Sequence, residues 1–150
     1  MNVKHLFFKV DSGIIETMRK LYFPGAKFAI FLIFFWFGLL KVLGLSPAGP
    51  MVLSLLDMTL PFMNPDTFMV LFGLFEMLIG LLFLIPHVER LAILLLAIHM
   101  ITTILPLFLL PDLTWASSFV PTMEGQYIIK NVLIIALAMG IAAHLKPGKI

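Results

Sequence analysis

Four apolar stretches, at residues 26–45, 67–85, 91–110 and 125–145, are each long enough to cross a bilayer. A span needs about 20 mainly apolar residues, because the hydrocarbon core is about 30 Å thick and a helix rises 1.5 Å per residue. The few charges inside them are Lys27 at the edge of the first and Lys41 within it, Glu76 in the second and Lys130 in the fourth. His99 is the only ionisable group of the third. Of the 150 residues, 61% are hydrophobic and 12% charged, against roughly 25% charged in soluble domains. A soluble fold of this size leaves too much of its area exposed to hide that surface. The prediction is an all-α protein, a four-transmembrane-helix bundle.

Charge asymmetry orients the spans. Lys4, Lys9, Arg19, Lys20 and Lys27 precede or open the first, Arg90 sits in the turn between the second and third, and Lys146 and Lys149 follow the fourth. The connections at 46–66 and 111–124 contain no Lys or Arg. The positive-inside rule then predicts cytoplasmic N- and C-termini in a plasma (inner) membrane. The N-terminal run shows no small-residue cleavage site and is read as a retained helix.

Residues 1–25 are expected to form a cytoplasmic amphipathic segment, 26–145 the transmembrane domain and 146–150 a cytoplasmic tail. Within 11–23, Ile14, Ile15, Met18, Leu21 and Tyr22 recur at helical spacing opposite Glu16, Thr17, Arg19 and Lys20, which predicts a separate interfacial helix. The apolar stretch 50–60, opened by Gly49-Pro50, predicts a short outer interfacial helix. Asn64-Pro65-Asp66 reads as N-cap, first-turn proline and dipole-matched carboxylate. Pro86 and Pro147-Gly148 read as stops.

The absence of cysteine excludes disulfides, thiolate metal sites and dithiol redox chemistry within this chain. There is no GxSxG, HExxH or phosphate-loop motif, so neither hydrolytic nor nucleotide chemistry is supported. A net charge of +2 gives no reason to expect a nucleic-acid partner. His87 and His144 fall near the cytoplasmic end, far from the mid-span His99, which argues against a bis-histidine haem, and no metal site is expected.

The intramembrane polar residues carry what functional signal there is. An ionisable side chain at bilayer depth costs about 2.5–3.5 kcal/mol on insertion scales, so such groups turn inward and seek partners. Helix directions predict that Lys41, Glu76, His99 and Lys130 lie at comparable depths. Gly73, Glu76 and Gly80 share a seam suited to close packing. Gly38 and Lys41 share a face, as do His99, Thr102 and Thr103. Pro106 deprives the Thr102 carbonyl of its donor, which predicts a kink beyond His99. Glu124, Tyr127 and Asn131 line one face of the fourth span, with Gln126 and Lys130 a turn apart. Two compatible readings stay open. In one, Lys41 pairs with Glu76, and Lys130 with Glu124 or Glu76, in a network that fixes helix packing. In the other, these residues line a polar pocket for a quinone head group, another amphiphile or a proton path.

Three segments resemble the DoxX-like family of small four-helix membrane proteins: Phe35-Trp36-Phe37-Gly38-Leu39-Leu40-Lys41, Gly73-Leu74-Phe75-Glu76-Met77-Leu78-Ile79-Gly80 and Glu124-Gly125-Gln126-Tyr127-Ile128-Ile129-Lys130-Asn131. The similarity covers about residues 26–145. It implies a four-helix membrane bundle with a polar core at Lys41, Glu76, Lys130 and Asn131, and a role as a membrane subunit or quinone-proximal partner of an oxidoreductase. The cofactor is left open, with a quinone as the candidate. The implied partner is a soluble or peripheral redox protein; membrane lipid is expected from the spans, and further copies of the chain are expected if it acts as a carrier or channel. The thiol chemistry of some relatives does not carry over to a cysteine-free chain. A carrier or channel subunit for a small solute, and a non-catalytic membrane assembly factor, are the alternatives; whether the chain is an enzyme is left open.

Overall fold

The computed structural model describes residues 3–146, with side chains from residue 7 onward. Helix α1 (Val3–Val42) leads into α2 (Gly49–Thr59), α3 (Pro65–Leu84) and α4 (Glu89–Ile104). After α4 come two one-turn helices, α5 (Pro106–Leu109) and α6 (Pro111–Thr114). A small hairpin of β1 (Trp115–Ser117) and β2 (Val120–Pro121) precedes α7 (Met123–Lys130) and α8 (Val132–Ala143). Four helical segments are long and apolar enough to cross a membrane: Phe7–Val42, Pro65–Leu84, Glu89–Leu109 and Met123–Ala143. The large apolar side chains on their outer faces, among them Phe28, Trp36, Leu71, Leu94, Ile101, Leu133 and Met139, are exposed. That is the surface expected of a protein whose solvent is lipid.

The predicted separate helix at 11–23 is not separate. Residues 3–42 form one helix with Pro24 inside it. Proline removes one backbone donor but holds a φ compatible with a helix, so α1 continues, and the Lys20 carbonyl goes without that bond. At 1.5 Å per residue α1 is about 60 Å long, roughly twice the hydrocarbon thickness. Its first half, exposed on all faces from Phe7 to Leu21, projects beyond the helices it packs with. The expected Pro147-Gly148 stop and Lys149 lie outside the described residues.

The helix starts and stops have local causes. The Asn64 side chain accepts from the Thr67 backbone N–H at 3.0 Å and caps α3. The α3–α4 turn places His87 at φ 71°. α4 stops at Ile104 because Pro106 cannot donate to the Thr102 carbonyl, and the chain resumes as α5. The last span is interrupted at Asn131, whose N–H bonds the Ile128 carbonyl at 3.0 Å in a tighter turn.

The connection at 111–124, which the all-α reading leaves without regular structure, contains α6 and the antiparallel pair β1–β2. Its pivot is the fully buried Thr114. The Thr114 hydroxyl donates to the Leu110 carbonyl at 3.0 Å, and its own carbonyl accepts from the Thr122 N–H at 3.0 Å. Trp115 donates its indole N–H to the Leu107 carbonyl at 3.0 Å.

The core joins α1, α3, α4 and α8 through Ile30, Phe34, Ile79, Phe83, Leu96 and Ile141. α1 and α3 form by far the closest pair, running antiparallel. Gly38 and Gly73 sit at their crossing. A Cβ on Gly38 would lie 2.5 Å from the Gly73 carbonyl oxygen, and one on Gly73 would lie 2.6 Å from the Gly38 oxygen. Each glycine thus occupies space the other's backbone requires, the arrangement by which helices gain contact where lipid removes the hydrophobic drive. At the opposite end, Lys27 of α1 pairs with Glu89 of α4 at 2.9 Å, and Arg90 donates to the Lys146 carbonyl at 2.7 Å.

Candidate functional site: a buried Lys–Glu–His cluster

Three helices each bring one ionisable group to the same point. The Glu76 carboxylate of α3 is shared. Its Oε2 accepts from the Lys41 ammonium of α1 at 2.6 Å, and its Oε1 lies 2.9 Å from His99 Nε2 of α4. All three residues are about 95% buried. Among the described residues no buried polar side-chain atom lacks a hydrogen-bond partner, as charges in a low-dielectric interior require.

The glycine crossing explains how Lys41 and Glu76 meet. Each follows its glycine by three residues, so on antiparallel helices their Cα atoms diverge by about 9 Å along the axis. Helical side chains lean toward their own N-terminus. Lys41 therefore leans back toward Gly38 and Glu76 back toward Gly73, and the two converge over the crossing. The parallel phrasing Phe-Gly-Leu-Leu-Lys at 37–41 and Phe-Gly-Leu-Phe-Glu at 72–76 is the sequence trace of this antiparallel pairing.

His99 is held on every side. Phe72 stacks on the imidazole with ring centres 5.2 Å apart and planes within 10°. Phe34 meets it edge-on at 5.2 Å, and Phe75 is tilted at 6.2 Å. The Lys41 Nζ also sits 5.5 Å from the centre of the Phe72 ring, within cation–π range. At the other nitrogen, Thr103 Oγ1 lies 3.1 Å from Nδ1 and 2.9 Å from the His99 carbonyl oxygen. Thr102 donates to the same carbonyl at 2.7 Å.

The Thr103 hydroxyl has one proton and two possible acceptors, and this defines two arrangements. If it donates to Nδ1, the imidazole is neutral and its Nε2–H donates to Glu76. If it donates to the His99 carbonyl, its oxygen accepts from Nδ1–H, and a proton is still needed between Nε2 and the carboxylate. The second arrangement carries one proton more than the first. The cluster therefore has a hydrogen-bonded form in each charge state, neutral with Lys41 and Glu76 ionised, or carrying one added positive charge.

The remaining expected site residues do not join the cluster. Lys130 is exposed, and its Nζ lies 5.1 Å over its neighbour Tyr127, itself exposed. Glu124 and Gln126 are exposed, and among the described residues neither Lys130 nor Glu124 makes an ion pair. Asn131 is half-buried at the α7–α8 break. The predicted Lys130 pairing with Glu124 or Glu76 thus does not form, because the interruption at Asn131 and the exposed face of α7 direct that lysine outward. Lys130→Gln is accordingly expected to change unfolding free energy by less than about 0.5 kcal/mol, read by denaturation in micelles.

Sequence reasoning missed the aromatic cage and the Lys27–Glu89 and Arg90–Lys146 contacts. With 15 phenylalanines in the chain, no spacing marks out Phe34, Phe72 and Phe75. Among the described residues no group of three or more His, Asp or Glu is placed to hold a metal. The DoxX-like resemblance rests on its three short segments alone: comparison with family models, curated proteins and solved structures finds no match to this chain.

Proposed function

We propose that this chain is a four-helix plasma-membrane protein, with both termini cytoplasmic, that serves as the quinone-proximal membrane subunit of an oxidoreductase. The observation that carries the proposal is the Lys41–Glu76–His99–Thr103 network, which has a satisfied hydrogen-bond arrangement with and without one added proton. A membrane interior rarely holds such a set without function, and proton exchange is the chemistry it can perform.

The donor set is one that would suit a quinone carbonyl. The Lys41 ammonium has three N–H donors and gives one to Glu76. Its remaining donors would be the ones to hold a quinone oxygen. A bound quinone would take up two electrons and two protons, the electrons coming from a soluble or peripheral redox protein. Lys41 would orient the carbonyl. His99, steadied by Glu76 and by the Phe72 and Phe34 rings, would hold the proton in transit. Thr103 would turn its hydroxyl between Nδ1 and the His99 carbonyl to match each state.

A second reading, that the cluster only fixes helix packing, is favoured by its burial and by its place over the glycine crossing. Native mass spectrometry of the protein in mild detergent with a short-chain benzoquinone separates them. The proposal expects one quinone retained per chain. Absence of any retained quinone would leave the packing role.

A further inference from the structure

We propose that the groove between α4 and α8 is a binding site for an anionic phospholipid, with one acyl chain in the groove and the phosphate at Arg90 and Lys146. The groove has a volume of about 320 Å³ and an entirely apolar lining, including Ile93, Ala97, Ile104, Ile135, Ala138 and Ala142. Alanines on both walls create it, since their short side chains do not fill the space between the two helices. It opens sideways to the bilayer, where Ala97, Ile101, Met139 and Ala142 are exposed.

Its length and its charged end identify the occupant. From Ile93 to Ile104 the groove follows α4 for about 16 Å, close to half of the ~30 Å hydrocarbon thickness and so to the depth of one leaflet. At its Ile93 end, Arg90 lies one turn before Ile93 on α4, and Lys146 lies just beyond the end of α8, four residues after Ala142. Arg90 donates to the Lys146 backbone carbonyl at 2.7 Å, which brings the two cations to one mouth. Both side chains are exposed. Among the described residues the one carboxylate beside them, Glu89, is turned to Lys27 at 2.9 Å, which leaves the described part of the mouth cationic. Guanidinium groups bind phosphate in a fork geometry, and basic pockets between transmembrane helices take anionic headgroups. The opposite end of the groove, at Ile104, leads to the α5 break and presents no cation among its lining residues. One lipid orientation is therefore selected.

The test uses delipidated full-length protein in mild detergent, with phosphatidylglycerol or phosphatidylcholine of identical acyl chains, read by native mass spectrometry. One phosphatidylglycerol should be retained per chain, in clear preference to phosphatidylcholine. Lys146→Gln leaves the backbone carbonyl used by Arg90 in place and should weaken phosphatidylglycerol retention about fivefold. Ala97→Phe fills the groove and should abolish retention of both lipids while the helical circular-dichroism spectrum stays unchanged. If Ala97→Phe does not fold, the Lys146→Gln comparison decides alone. Equal retention of the two lipids, an unaffected Lys146→Gln, a protein dimer in place of bound lipid, or displacement of the lipid by a benzoquinone would each overturn the proposal.

Discussion

Glu76→Ala is expected to destabilise the protein by about 3–5 kcal/mol, the typical cost of leaving one member of a buried ion pair without its partner. The carboxylate holds two groups, so its loss orphans the Lys41 ammonium and the His99 Nε2 together, both about 95% buried. Denaturation in detergent micelles measures the loss. The double substitution Lys41→Met with Glu76→Gln should behave differently. It removes both charges at similar volume, and the amide oxygen introduced at position 76 can still accept from Nε2–H. Replacing a buried pair by uncharged residues is often neutral or better. Here, however, the amide NH2 introduced where Oε2 stood faces a methionine and goes unpaired at about 1–3 kcal/mol, so the double variant should lose about 1–3 kcal/mol, less than Glu76→Ala. A Glu76→Ala loss below about 1 kcal/mol would mean that Lys41 finds water or another partner, and the cluster would not be the closed network described here.

Gly73→Val should be comparably damaging for a steric reason. Even the first carbon of the new side chain would lie 2.6 Å from the Gly38 carbonyl oxygen and 3.0 Å from both Lys41 Cβ and Val42 Cγ2. Backbone cannot yield as a flexible side chain does, so α1 and α3 must separate. Overpacking of this kind costs about 1–3 kcal/mol and sometimes more, and the separation also draws Lys41 away from Glu76. Gly25→Ala is the matched control on α1. Nothing lies within 4 Å of its added carbon, and removing a helical glycine should stabilise by roughly 0.5–1 kcal/mol. Equal effects at Gly25 and Gly73 in the same denaturation assay would remove the close crossing as the explanation.

The spans were readable because hydrophobic length is a direct consequence of bilayer thickness, and each of the four stretches has its helical segment. Caps and stops written into short motifs, such as Asn64-Pro65-Asp66 and Pro106, were readable for the same local reason. Continuity was harder. The polar face of 11–23 and Pro24 both suggest a boundary, yet neither prevents α1 from continuing, because a proline inside a helix removes one bond without excluding helical geometry. The candidate site divides along a similar line. Lys41, Glu76 and His99 could be placed together from depth and helix direction. The exclusion of Lys130 could not, because it depends on the helix rotation past Asn131, and a shift of one residue turns a side chain by about 100°. The Phe-Gly-x-x-charge phrasing of 37–41 and 72–76 carried the crossing in plain view, but only the antiparallel geometry gives it meaning.

The double variant allows function to be measured apart from loss of the fold. Equilibrium binding of a short-chain benzoquinone, followed by its ultraviolet absorbance, should be compared in the parent protein and in Lys41→Met/Glu76→Gln with both folded. If the buried cluster is a site for proton exchange with a quinone, the parent binds and the folded double variant does not. Equal binding in both, or none in the parent, would contradict that role and leave Lys41, Glu76 and His99 as the clasp that joins three helices.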